Sequence, residues 1–400
     1  MLLALACTRP PVARPDRLWG SDRPRQLAGA AVDVLPGDVA PILVSAPNDP
    51  DPYNDDADRR GTGVAFRLAP GARPGLLREV AATTYSGPGG EVTTWATEAF
   101  FTPAFSGDDR VEVVLAGPRD HYGDGVRASV FDASTSGQLS THDARSTLRL
   151  GSGAFDPSSL VPCGDLDSDG GIDLCLRRGQ AQGWALWQGP IADEDTPDRA
   201  VPISGLPFGN PWDLTSVDFD EDGSPEIVAT GAEPTGLVVG SALADLATAP
   251  LIATSGVGGI SSGDLDGDDR PDVVCGAVFV GSAVDELDLW WRLDDADQYA
   301  SAVGDFDGDG QDDLVQAVSH DGRYKAYVFR GPLPRGVATS ADADVVIEAH
   351  DGPDGWPGLT FAAGDVDGDG RDDLVVGEPG DEESFAGGSV SLYLGRSLVP

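Results

Sequence analysis

Five times along the chain a polar, acidic stretch gives way to two adjacent apolar residues: Leu174-Cys175, Ile227-Val228, Val273-Val274, Leu314-Val315 and Leu374-Val375. An apolar pair directly behind an acidic stretch reads as the start of a short strand. A Gly- or Pro-containing step often follows, and then a glycine-led strand of alternating character, as in LVVGEP…GGSVSLYLG near the C-terminal end. The same order of elements occurs in ILVSAP…GTGVAFRL (42–68) and in VEVVLAGP…GDGVRASVF (111–131), each preceded by a Gly-Asp step. These two stretches read as the same unit with its acidic loop shortened. With Pro41 and Glu112 as counterparts of the last acid of each loop, seven anchors fall at 41, 112, 173, 226, 272, 313 and 373.

Seven units of short strands with Gly/Pro turns predict an all-β fold, a seven-bladed β-propeller spanning 27–400. A linear array would leave its end sheets uncapped. The last unit stops after the strand 389–394, so its outermost strand is missing, and residues near Leu18-Trp19 are expected to supply it and close the ring. The anchors at 272 and 313 are close together, which predicts a three-stranded blade around Leu287–Leu293. Residues 1–26 read as a leader followed by a Pro/Arg-rich tether.

The acidic stretches share the template D-x-D-x-D-G-x-x-[DE]. They place carboxylates at Asp165, Asp167, Asp169 and Asp173; at Asp218, Asp220, Asp222 and Glu226; at Asp264, Asp266, Asp268 and Asp272; at Asp305, Asp307, Asp309 and Asp313; and at Asp365, Asp367, Asp369 and Asp373. This spacing suits calcium, which takes about six to eight oxygens. Acids at positions 1, 3 and 5 of a tight loop converge on one point. Position 7 offers a carbonyl, and the acid at position 9 closes the cage. The glycine at position 6 permits the sharp turn. Asp269 stands at that position in the third loop, and Asp tolerates a left-handed backbone better than most residues. An EF-hand closes at position 12 and runs into a helix; here a strand follows. Up to about five structural Ca²⁺ ions are expected, in about five of the blades.

Charge narrows the function classes. Lys plus Arg total 26 against 67 Asp plus Glu, for a net charge of −41. Nothing basic is available to replace counterions on a phosphate backbone, so nucleic acid is excluded. The same deficit argues against docking on anionic lipid. Hydrophobic residues reach 40 %, which argues against disorder. The four template positions of the five loops hold 20 of the 67 acids, so much of the charge is local to them.

These loops and their flanks resemble the FG-GAP/VCBS repeat family, which includes the calcium-bearing propeller of integrin α subunits and many bacterial surface proteins. The resemblance covers roughly 27–400. It implies a seven-bladed propeller, calcium on the hairpin loops, and placement outside the cell, and it implies no activity. Residues 2–6 followed by Cys7 resemble the end of a bacterial lipoprotein signal, in which the cysteine is lipidated. The expectation is therefore an exported monomer, secreted or held at the cell surface or outer membrane, that touches a membrane only through such an anchor. It would bind an extracellular protein or glycan and would not be an enzyme. The alternatives are a polysaccharide lyase or hydrolase on the propeller scaffold and a secreted lectin, the latter using Trp184 and Trp187 either as a stacking platform or as core. Cys163 and Cys175 flank one loop, either as a disulfide or as two buried thiols. Asp132-Ala-Ser134-Thr-Ser136 has the form of an A-domain metal motif but lacks a helical period beside it.

Overall fold

The apolar pair behind each loop divides its two side chains between two interfaces. Leu174 points into one hydrophobic cluster and Cys175 into the next; Ile227 and Val228 divide in the same way, as do Val273 and Val274, Leu314 and Val315, and Leu374 and Val375. A strand buried on both faces between two neighbouring sheets explains why these pairs carry no polar alternate. The computed structural model describes 10–20, 30–35, 40–46, 63–87, 96, 98–103, 105, 110–117, 127–149, 160–166, 169–177, 184–190, 201–203, 206, 208, 210–218, 225–232, 236–240, 251–253, 259–281, 287–294, 297–320, 323–348, 359–379 and 388–398.

Among the described residues seven sheets form, each with four antiparallel strands. The first blade holds Val32–Val34, Ile42–Ala46, Val64–Leu68 and Thr83–Ser86, and the second Glu98–Pro103, Val111–Gly117, Arg127–Asp132 and Ser146–Arg149. Leu160–Pro162, Leu174–Arg177, Trp184–Trp187 and Val201–Pro202 make the third, and Asn210–Val217, Glu226–Ala232, Gly236–Gly240 and Ile252–Ala253 the fourth. The fifth holds Ser261–Gly263, Asp272–Val274, Val278–Val280 and Asp288–Leu293, and the sixth Asp297–Gly304, Asp313–His320, Arg323–Phe329 and Val345–Glu348. Thr360–Gly364, Asp373–Glu378 and Ser389–Tyr393 begin the seventh. Its fourth strand is Arg17–Gly20, antiparallel to Ser389–Tyr393 with Trp19 opposite Val390. The chain therefore forms an all-β, seven-bladed propeller closed by its N-terminal strand. The closing seam packs Trp19, Val390 and Leu392 against Ile42, Val44 and Phe66. No helix among the described residues is long and apolar enough to cross a membrane.

One expectation needs correction. The fifth blade has four strands of its own, not three; two of three residues, Asp272–Val274 and Val278–Val280, fit it into the short spacing. Three blades also gain a fifth, parallel edge strand from the blade that follows. Gly75–Leu76 adds to the seventh blade, Gly137–Ser140 to the first and Gly336–Ala338 to the fifth. Two of these straps end alike: Ser140 and Thr339 each donate a backbone N–H and a hydroxyl to Asp143 and Asp342, all at 2.8 Å.

Candidate metal centres

Each acidic loop joins the first strand of a blade to the second, so all lie at one end of the ring. The first carboxylate folds the loop around itself. In the third, fifth, sixth and seventh blades, one oxygen of Asp165, Asp264, Asp305 or Asp365 accepts the position-6 amide (Gly170, Asp269, Gly310 or Gly370) at 2.8–2.9 Å. That amide belongs to a residue with φ between 67° and 89°, Asp269 included, so the aspartate adopts the left-handed turn made elsewhere by glycine. The position-5 acid then accepts the position-7 amide, as Asp309 does from Gln311 at 2.9 Å and Asp369 from Arg371 at 3.1 Å.

The last acid is a buried hub. Asp173, Asp272, Asp313 and Asp373 are 0–3 % exposed. One oxygen of each accepts the position-2 amide (Leu166, Leu265, Phe306 or Val366) at 2.9–3.1 Å. The other oxygen of Asp173, Asp313 and Asp373 accepts the amide of Gly189, Gly331 or Gly395, just past the third strand, at 2.7–2.9 Å. A Cβ on any of these glycines would collide with the carbonyl of Ile172, Asp312 or Asp372. The signal for this clamp, an aromatic-x-Gly step in Trp187-Gln-Gly189, Phe329-Arg-Gly331 and Tyr393-Leu-Gly395, is visible in the sequence but was not among the features singled out above.

Three loops bring oxygen ligands together. Carboxylate oxygens of Asp264, Asp266 and Asp272, of Asp305, Asp307 and Asp309, and of Asp365, Asp367 and Asp373 each lie within 4.8 Å of one another. Asp268, Asp313 and Asp369 lie in the same loops outside these trios. Asp167, Asp220 and Asp222 lie outside the described residues, as does Cys7. Asp165 and Asp218 are half-buried, Glu226 is buried and Asp169 is exposed.

Electrostatics show how crowded these loops are. Burial, with Asp266 and Asp268 nearby, pushes Asp272 up to about 7. Burial beside Asp307 and Asp305 takes Asp313 to about 7, and burial beside Asp367 takes Asp373 to about 6. Asp367 Oδ1 is buried with no hydrogen-bond partner. A hard divalent cation with oxygen ligands fits this donor set, since it would satisfy the orphaned oxygen and offset the repulsion.

The second blade corrects the expectation of a shortened loop. Phe105 N–H donates to Glu112 Oε2 at 3.0 Å across seven residues, the separation found in Leu166/Asp173, Leu265/Asp272, Phe306/Asp313 and Val366/Asp373. The separation is not shortened; in the sequence Ala104 and Ser106 stand at positions 1 and 3, where the other loops have aspartates, while Asp108 keeps position 5. Glu112 is fully buried, and its other oxygen meets Arg145 Nη1 at 3.2 Å.

Elsewhere, Cys163 and Cys175 form a disulfide with a Cα–Cα distance of 5.8 Å, and Cys275 is buried in a different seam. Trp184 and Trp187 are 0–1 % exposed, on opposite faces of one strand, so neither offers a stacking platform. Asp132 sits at the end of a strand, accepts both the N–H and the hydroxyl of Ser134, and borders a cavity of about 580 Å³ with Arg67 and Arg110.

The FG-GAP repeat family model matches residues 357–393, which contain the seventh-blade loop. No curated protein matches the chain. Among solved structures, the β-propeller domain of the Trilobed protease from Pyrococcus furiosus, described as revealing an open velcro topology, is similar at 11 % identity, with a TM-score of 0.42 over 95 % of this chain and 94 % of that one.

Proposed function

We propose that this FG-GAP-repeat propeller is a calcium-stabilised binding module that works outside the cell and engages a protein or glycan partner. The observation that carries the metal reading is the contrast between blades. The second blade, which lacks the aspartates of positions 1 and 3, supplies Arg145 as a cation at its buried acid. In the fifth, sixth and seventh blades further carboxylates of the loop crowd the equivalent acid instead. These loops would hold Ca²⁺ through Asp264, Asp266 and Asp272; Asp305, Asp307 and Asp309; and Asp365, Asp367 and Asp373, and the loop at 165–173 would do so through its own acids. Such a site binds and folds together. The Cys163–Cys175 disulfide agrees with an oxidising compartment, and Cys7 would be the point of lipid attachment. The net charge of −41 favours neutral or cationic partners.

The test is elemental analysis of the purified chain with thermal melts in calcium and in chelator. Several bound calcium ions and a lower melting temperature in chelator are expected. An identical melt with no bound calcium refutes the proposal. Glycan and envelope-protein arrays probed with calcium-loaded and chelated protein test the binding half, with signals that depend on calcium.

A further inference from the structure

We propose that the metal sites of the fifth, sixth and seventh blades are coupled in series, with Asp312 and Asp372 as the links, while the third-blade site titrates by itself. The inference rests on the reading of these loops as calcium sites. Its basis is position 8, the residue just before the closing acid. That position is Ile172, Pro225, Pro271, Asp312 and Asp372 in the five loops, so only the last two offer a carboxylate.

Both carboxylates cross a blade seam. Asp312 Oδ2 accepts the amide of Asp264 at 2.8 Å, and Asp372 Oδ2 accepts the amide of Asp305 at 3.1 Å. Asp264 and Asp305 are the first ligands of the neighbouring loops, around which those loops fold. A second backbone bond reinforces each seam, from Asp372 N–H to Asp305 O at 2.9 Å and from Leu333 N–H to Leu265 O at 2.6 Å. Position 7 of one loop also covers position 4 of the loop before it. A Cβ on Gly267 would meet Gln311 Oε1 at 2.9 Å, and one on Gly308 would meet Arg371 Cγ at 2.8 Å.

Binding at the sixth-blade loop fixes Asp313 and with it the adjacent Asp312. The carboxylate of Asp312 then holds Asp264, the residue that shapes the fifth-blade loop. Asp372 links the seventh-blade loop to Asp305 in the same way. Because coupling is reciprocal, each site raises the affinity of its neighbour by the same factor. The seam after the third blade is built differently. There Pro225 packs on Gly164, with its Cγ 3.0 Å from where a Cβ would stand, and proline has neither an N–H nor a side-chain acceptor.

Calcium titration of the full chain, followed by amide NMR, resolves the sites. The amides of Gly170, Asp269, Gly310 and Gly370 each donate to the first carboxylate of their own loop and report on it separately. Emptying the sixth-blade loop with Asp307→Ala and Asp309→Ala is expected to raise the calcium midpoints at Asp269 and Gly370 at least about fivefold, with Gly170 unmoved. Asp312→Ala is expected to raise the Asp269 midpoint, and Asp312→Asn, which keeps an acceptor oxygen, to restore most of it. Asp372→Ala and Asp372→Asn repeat the test at Gly310, and melts confirm that each variant folds. Unmoved neighbours, an equal shift at Gly170, or an Asn variant as impaired as Ala overturns the coupling while the calcium reading stands. Reporters that do not respond up to about 10 mM calcium overturn both.

Discussion

Replacing Trp19 tests ring closure directly. The residue lies 1 % exposed in Arg17–Gly20, the antiparallel closing strand of the seventh blade, packed in the seam with the first blade, and its indole N–H donates to the Arg73 carbonyl at 2.8 Å. A side chain of this size buries about 200 Å², worth roughly 5 kcal/mol at ~25 cal/mol per Å². That figure is an upper bound because the unfolded chain already hides some of the area. Large-to-small aromatic replacements in cores cost about 3–5 kcal/mol. Trp19→Ala should therefore destabilise the chain by about 4 kcal/mol. Leu18, next to it on the same strand and 40 % exposed, is the internal control; Leu18→Ala should cost less than about 1 kcal/mol. Urea unfolding in saturating calcium reads both. Equal losses, or a loss below about 1.5 kcal/mol for Trp19→Ala, would refute closure by this strand.

Two further outcomes follow from single side chains. Arg396 donates to both Asp367 and Asp369, placing a guanidinium on two of the seventh-blade acids; Arg396→Gln should lower the calcium midpoint at the Gly370 amide by roughly two- to fivefold. Asp33 accepts amides from Val34 at 2.9 Å and Phe101 at 2.6 Å, and burial takes it from the ordinary 3.8 up to about 7. The native state then holds a proton that the unfolded chain has released, so this residue's contribution is complete below the unfolded value and is lost as pH rises to about 7. Between pH 5 and 7 the stability of the wild type, measured by denaturant at fixed calcium, should fall relative to Asp33→Asn by about 2 kcal/mol, and parallel profiles would refute this.

Features set by local pattern were legible before the structure. The seven units, the acidic template and the N-terminal closing strand all rest on apolar runs and glycine punctuation that act within about ten residues. The straps were hidden because Gly137–Ser140 and Gly336–Ala338 are edge strands, mostly exposed, with little apolar periodicity to mark them. Their shared sequence, G-x-x-[ST]-x-x-D-A in Gly137–Ala144 and Gly336–Ala343, was the available clue. Trp184 and Trp187 were ambiguous for a related reason. On a blade strand both faces are buried against neighbouring sheets, so side-chain alternation does not separate core from surface. The length of the second-blade loop was misread because its ligands had changed while its hairpin had not, and chemistry was the only sign used to find it.

That loop separates the structural role of the last acid from the metal role proposed for it. Glu112 keeps the hub position without the aspartates of positions 1 and 3, so the hub bond does not depend on the full acidic set. It satisfies the position-2 amide, and a cation must balance it. Arg145, 26 % exposed, supplies that cation at 3.2 Å from a carboxylate that is 0 % exposed. Arg145→Ala would leave Glu112 charged in a buried place, which costs about 3–5 kcal/mol for a fully buried pair and about 2 kcal/mol here, because the arginine end is partly in water. Adding Glu112→Gln removes the stranded charge and keeps an acceptor oxygen for Phe105, so the double variant should recover at least half of that loss. Urea unfolding of the two singles and the double closes the cycle. Calcium should do little to rescue Arg145→Ala, since Ala104 and Ser106 replace the carboxylates of positions 1 and 3 and leave Asp108 as the one template acid besides Glu112. Strict additivity, or full rescue by calcium, would mean that Arg145 does not stand in this blade for the metal proposed in the others.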